Sequence, residues 1–110
     1  MNRTMLLAMA VFSAALIARA DNSKANWQMH CAMCHGKKGQ ANTPAGKMLG
    51  AANLQDAKVQ ASFTDEQAVK AIKEGIEKDG RRKMKSFAAE LTDKDIRELV
   101  NYLRTFKRGK

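Results

Sequence analysis

The clearest hydrophobic pattern lies near the C-terminal end of the 110-residue chain, where Ile96, Leu99, Val100, Leu103 and Phe106 fall at helical spacing with charges between them. That is the stripe of an amphipathic helix with one face in a core. Thr92 stands ahead of it as an N-cap, Asp95 completes a capping-box form, and Leu91 can staple onto Ile96. A second helical pattern, Ala68, Val69, Ile72 and Ile76, follows the capping box Thr64-Asp65-Glu66-Gln67. It predicts a helix over residues 65–78 with Gly80 as its stop. Asp21, Asn22 and Ser23 are good N-cap types, and Lys24 to Cys34 runs on without Pro or Gly, which predicts a first helix there. Between these helices Gly36, Gly39, Pro44, Gly46 and Gly50 punctuate a long loop, and residues 79–89 form a second irregular stretch. The reading is an all-α fold: three or more short helices, irregular loops, and little or no strand.

The first twenty residues follow a different rule. Arg3 supplies a positive charge, Met5 to Ile17 is apolar apart from Ser13, and Ala18-Arg19-Ala20 has the small-x-small form of a cleavage site. The apolar run falls short of the roughly 20 residues that span a bilayer, so it reads as a signal peptide and not an anchor. The expected layout is a signal peptide over residues 1–20 and one domain over 21–110, exported to the periplasm, an oxidising compartment. The mature chain carries no other stretch long enough to span a membrane. Loss of Arg3 and Arg19, with no acid, lowers the formal charge from +9 to +7. A domain this small buries little apolar surface and calls for a staple: a disulfide, a metal or a cofactor.

The candidate staple is Cys31-Ala32-Met33-Cys34-His35. Cysteines three apart share a helical face, so both sulfurs can reach one flat ligand, and the histidine after them can coordinate a metal at its centre. C-x-x-C-H is the attachment signature of c-type haem, with two thioether bonds and an axial imidazole. A redox C-x-x-C belongs in a βαβ setting that this chain lacks. Zinc needs four convergent ligands, and the only other histidine, His30, is adjacent to Cys31. A disulfide between the only two cysteines would close too short a loop to stabilise much. One haem c, attached through Cys31 and Cys34, is the expected cofactor.

Haem iron with one histidine has a sixth position on its other face. Met29, His30 and Met33 are held to the proximal side by the motif helix; Met29 reads as packing and His30 as a solvated or capping side chain. Met48, in the loop covering that side, reads as core filling. Met84 lies forty-nine residues after His35, beyond a whole helix, between Lys83 and Lys85. Its path can return to the far side of the porphyrin, so His35 and Met84 are the expected metal ligands.

These residues make the sequence resemble a class I monohaem c-type cytochrome in its short bacterial form, over residues 24–106. The resemblance implies that Trp27, four residues before Cys31, packs on Tyr102 where the first and last helices cross. It also implies that the Pro44 carbonyl accepts a hydrogen bond from His35, making Pro44 part of the cofactor site. One departure is Lys85, where many members have proline after the ligand methionine; Phe87 keeps an aromatic nearby.

Such a fold implies reversible one-electron carriage between respiratory or dehydrogenase partners and no enzymatic turnover. The chain has no paired carboxylates, Ser/His set or phosphate loop to point elsewhere. Lys37, Lys38 and Lys47 follow the motif, and Arg81, Arg82, Lys83 and Lys85 surround Met84. They predict a basic rim that steers onto acidic docking patches of an oxidase, reductase or dehydrogenase. Export and scarce aromatics argue against nucleic acid, and nothing calls for more than a monomer. The alternatives are a haem sensor or peroxidase-like enzyme with a displaceable distal ligand, and a cytochrome subunit of a larger redox complex.

Overall fold

A computed structural model describes residues 21–108; the signal-peptide expectation, on residues 1–20, lies outside the described residues. The chain order is α1 (Ser23–His30), α2 (Ala32–His35), α3 (Pro44–Leu49), α4 (Ala57–Ala61), α5 (Asp65–Glu74), β1 (Ile76–Lys78), β2 (Arg81–Met84) and α6 (Asp93–Arg104). The mostly helical fold expected from the pattern is present, with a small hairpin added.

Helix α6 organises the core. Its stripe is fully inside: Ile96, Leu99, Val100, Leu103 and the following Phe106 are all buried. Thr92 accepts from the Asp95 backbone at 3.0 Å, and the Asp95 carboxylate accepts from the Thr92 N–H at 3.0 Å, so the capping box is complete. Leu91 is buried with Ile96 in the same core, where a staple would put it. The stripe packs against α1 and α5. At the α1 crossing Trp27 is 2 % exposed, its ring 6.1 Å from that of Tyr102 and 4.9 Å from that of Phe106. The crossing of first and last helices is therefore as the resemblance implied.

Two stretches differ from the sequence reading. The first helix is broken at Cys31, where the backbone drops to φ −115° and ψ −36° before α2 restarts. The helix expected over 65–78 stops at Glu74, because Gly75 turns to φ 80° and ψ −179°, a conformation open essentially to glycine alone. Ile76 to Met84 then forms an antiparallel hairpin, not the tail of a helix and an irregular loop. Its two-residue turn, Asp79-Gly80, has both φ values positive, at 54° and 75°, the pairing that matches strand twist. The long loop also holds two short helices. The Thr43 side chain accepts from Gly46 to cap α3, with Pro44 at the first helical position, and the Asp56 side chain accepts from Lys58 to cap α4.

One buried polar group ties these pieces together. Gln60 donates from Nε2 to the carbonyls of Leu54 (2.7 Å) and Leu103 (2.8 Å), satisfying backbone acceptors beside α4 and at the end of α6. Arg104 donates to its Oε1 at 2.9 Å and to the Phe63 carbonyl at 2.7 Å, and lies 4.2 Å over the Phe63 ring. The end of α6 is thereby clamped to the α4–α5 connection.

The α6 cap makes stability depend on pH. Hydrogen bonds from Thr92 hold the Asp95 carboxyl below its ordinary value. A depressed acid contributes fully above its unfolded pKa and loses that contribution as pH falls through the folded value. Asp95→Asn is expected to lower the denaturant midpoint at neutral pH by an amount equivalent to about 0.5–1 kcal/mol, small because the group is solvent-screened. The deficit should shrink as pH falls through and below the ordinary carboxylate range, where Asp95 becomes protonated. Urea titrations of both proteins across that range provide the check.

Candidate cofactor site

A cavity of about 220 Å³ opens between the motif and α5, with Cys31, His35, Ile72, Met84, Leu103 and Trp27 among its walls. It is almost wholly apolar. Its floor is the inner face of α5, where Ala68 and Ile72 are buried by the same periodicity that defined the helix. Residues far apart in sequence meet here: Cys31 and His35 from the motif, and Met84 from the end of β2.

The motif is held by its own carbonyls. Thr43 Oγ1 donates to the Cys34 carbonyl at 2.9 Å, the Ala41 N–H to the His35 carbonyl at 2.8 Å, and Trp27 Nε1 to the Gly36 carbonyl at 2.9 Å. Gly46 of α3 passes so close that a Cβ there would collide with the Cys34 carbonyl. These contacts fix the end of α2, and with it the direction of His35, through the polypeptide alone.

His35 Nδ1 is buried and has no hydrogen-bond partner among the described residues. Burial also pushes the imidazole below its usual pKa, so the neutral form, with a lone pair to offer, is favoured. Burial, and secondarily the neighbouring Cys34, pushes the Cys31 thiol up to about 12. Both cysteines are free; Cys31 is buried and Cys34 half-buried. The His35 imidazole, the Cys31 thiol and the Met84 thioether line an apolar cavity, with the free Cys34 thiol three residues from Cys31, and this set of groups fits the donors and the apolar faces of haem c.

Not every expected residue lines this cavity. Cys34 is not among its walls, and Pro44 is exposed. The hydrogen bond expected from His35 to the Pro44 carbonyl is not formed. Pro44 is the first residue of α3, which turns its carbonyl along that helix. Met29, Met33 and Met48 are 75, 79 and 82 % exposed. Met29 is therefore not packing and Met48 not core filling. His30, expected to be solvated or capping, sets its ring edge-on to Phe87 at 5.6 Å.

Comparison with known proteins shows the family. A family model described as cytochrome c oxidase, cbb3-type, subunit III matches residues 18–103. Among solved structures, the KustC0563 c-type cytochrome superposes with a TM-score of 0.71 at 34 % identity, over 78 % of this chain and 98 % of that one. The chain belongs to the c-type cytochromes. A tyrosine-to-phenylalanine mutant of Kustc0563 matches this cytochrome equally widely, with a TM-score of 0.68, 34 % identity and coverage of 78 % and 99 %. No curated protein sequence matches significantly. The family implies haem c and supports an electron-carrier role, and Cys31 and Cys34 have the spacing of its attachment motif.

In this cytochrome a hairpin that the sequence pattern does not show delivers Met84. Met84 pairs with Ile76 across the ladder, and its carbonyl passes over Gly75, where a Cβ would meet it at 2.5 Å and the Ser86 nitrogen at 2.8 Å. Ser86 Oγ donates to the Lys73 carbonyl at 2.6 Å and the Phe87 N–H to the Ile72 carbonyl at 3.0 Å, so the segment after Met84 is tied to α5. Gly80 also has a positive φ but open space around its missing Cβ. Gly75→Ala is therefore expected to destabilise the protein by about 2–4 kcal/mol, through backbone strain plus collision, and Gly80→Ala by about 1–2 kcal/mol through strain alone. Thermal unfolding of the pair measures the difference.

Proposed function

We propose that this cytochrome is an exported one-electron carrier in which Cys31 and Cys34 hold haem c covalently and His35 and Met84 are its axial ligands. The observation that carries the reading is the meeting of the unpartnered His35 imidazole and the Met84 side chain at one apolar cavity. Residues 1–20 act as the signal peptide that takes the chain to the periplasm. Bound haem c supplies a reversible Fe(III)/Fe(II) couple, and thioether ligation raises its potential.

The chain's part is to hold donors still and keep water away. Trp27, Ile72 and Leu103 present apolar walls, so charge at the site is poorly solvated and the less charged reduced state is favoured. Thr43, Ala41 and Trp27 fix the motif, and the ties of Ser86 and Phe87 to α5 fix the methionine loop. Ligands that do not move between oxidation states keep the reorganisation accompanying electron transfer small. Among the described residues, Pro44 contributes by starting α3, which supports the motif from below.

Charge supports protein partners with acidic patches. No Asp or Glu occurs between Asn22 and Gln55, the whole stretch that carries the motif. On the hairpin, Arg82 pairs with Glu77 at 3.0 Å, and just beyond it Lys85 pairs with Glu90 at 2.8 Å. Lys37, Lys47, Arg81 and Lys83 enter no ion pair among the described residues and form the effective part of the rim, while Lys38, expected in it and also unpaired, lines a separate cleft. A second reading follows from the matched family description, which names an oxidase subunit: the carrier docks stably on a larger oxidase. Co-purification from membranes would separate the two.

The test is the absorption spectrum of the purified protein, oxidised, reduced, and reduced under carbon monoxide. A sharp c-type reduced spectrum unchanged by the gas is expected, while Met84→Ala should bind it. A wild-type protein that binds carbon monoxide, or a Met84→Ala variant that does not, would falsify the ligand assignment. The electron-transfer rate with an acidic redox partner should fall at least several-fold between low and physiological ionic strength; a flat dependence removes the docking role of the rim.

A further inference from the structure

A second cleft, of about 280 Å³, lies at the end of α6, lined by Lys38, Gln55, Tyr102, Thr105, Lys107 and Arg108 together with Phe106. It shares no lining residue with the cofactor cavity; the layer of Trp27 against Tyr102 and Phe106 lies between them. The cleft is built by specific backbone ties. Arg108 N–H donates to the Gln55 carbonyl at 2.8 Å, and Gln55 Nε2 donates to the Lys38 carbonyl at 3.1 Å. Three cations from two distant stretches are thereby set around one concavity.

None of the three enters an ion pair among the described residues. Asp56, which pairs with Arg108 through the backbone, has its carboxylate on the Lys58 N–H as the cap of α4. Cations just beyond a helix C-terminus ordinarily offset its dipole, which accounts for Lys107 and Arg108. It does not account for Lys38, which Gln55 brings from the other end of the domain. Like charges that converge without a counter-charge raise the local potential and concentrate polyvalent anions. A planar guanidinium and two ammonium groups match the several oxygens of a phosphate chain.

We propose that this cleft binds a soluble diphosphate anion, such as inorganic pyrophosphate or the diphosphate of a nucleotide. Its volume is several times the roughly 30 Å³ share of one water, enough for more than one phosphate group. A lipid headgroup is the weaker match. None of the large exposed apolar side chains, Met29, Met33, Met48 and Ile76, lines the cleft.

The test is calorimetric titration of the intact haem-loaded protein with pyrophosphate, orthophosphate and ADP at matched ionic strength. Saturable one-to-one binding of pyrophosphate and ADP, at least tenfold tighter than orthophosphate, is expected. The double variant Lys38→Gln/Arg108→Gln should lose at least tenfold in affinity. Arg81→Gln/Lys83→Gln, which removes the same charge from the hairpin, should lose less than twofold. Amide shifts on titration should centre on Tyr102 and Thr105. Equal losses in both variants would mean diffuse attraction to a basic protein and overturn the site. So would absence of saturation, or binding to phosphatidylglycerol vesicles with none to pyrophosphate. The cleft requires no assignment of the iron ligands, so it stands or falls apart from the carrier function.

Discussion

The packing of Trp27 is the interaction on which the rest depends. Its indole nitrogen holds the Gly36 carbonyl at the end of the motif, its ring meets Tyr102 and Phe106 of the last helix region, and His35 lies 5.7 Å away. One side chain therefore joins the N-terminal helix, the histidine and the C-terminal helix. A small domain with a cavity in its interior cannot close that interior with its own aliphatic side chains. It needs a rigid wall instead, and a buried aromatic, whose removal from a core typically costs about 3–5 kcal/mol, provides one. The wall also sets a floor on the distance between cavity and solvent on that side.

The opposite side is solved differently. There the chain uses backbone, not ring packing: Gly75 breaks α5, the hairpin turns at Asp79-Gly80, and Met84 returns over Gly75 with the residues after it bonded to α5. A helix continued to residue 78 would have carried the chain past the cavity. The break is what allows a methionine from a basic, exposed hairpin to share a cavity with Ile72 and Leu103. With Lys85, and no proline, after Met84, these ties restrain the following segment by hydrogen bonds, not by a fixed φ.

Much of this is legible in the sequence. The α6 stripe, both capping boxes and the motif rest on periodicity, side-chain type or spacing, which one sequence displays; the Trp27–Tyr102 crossing is implied only by the family resemblance. Met84 stands out by its order along the chain, and it does line the cavity. What stays hidden has physical causes. Gly75 escapes notice because Ile76 continues the apolar spacing of Ala68, Val69 and Ile72, and periodicity does not register a change of φ. The Asp-Gly turn signal is present at residues 79–80, but a glycine after a helical pattern reads equally well as its stop. Met29 and Met48 read as interior because methionine is usually core. Solvent exposure depends on which way a short helix faces, and the six or eight residues of α3 and α1 are too few to show it. The Gln60–Arg104 clamp spans 44 positions and carries no local signature.

The distribution of charge follows from the same architecture. The motif segment, from Asn22 to Gln55, has no acid at all, while the carboxylates of α5, the hairpin and α6 are largely spent on local pairs such as Lys73–Asp93, Lys94–Glu98 and Arg104–Asp65. Exposed pairs of this kind contribute little to stability. Their larger effect is to cancel the field over the surface that carries them. The cations that enter no ion pair among the described residues include Lys37, Lys38 and Lys47 after the motif, Arg81 and Lys83 on β2, and Lys107 and Arg108 beyond the end of α6. The long-range field of this small domain is thus set less by its total charge than by which cations the fold leaves without a partner.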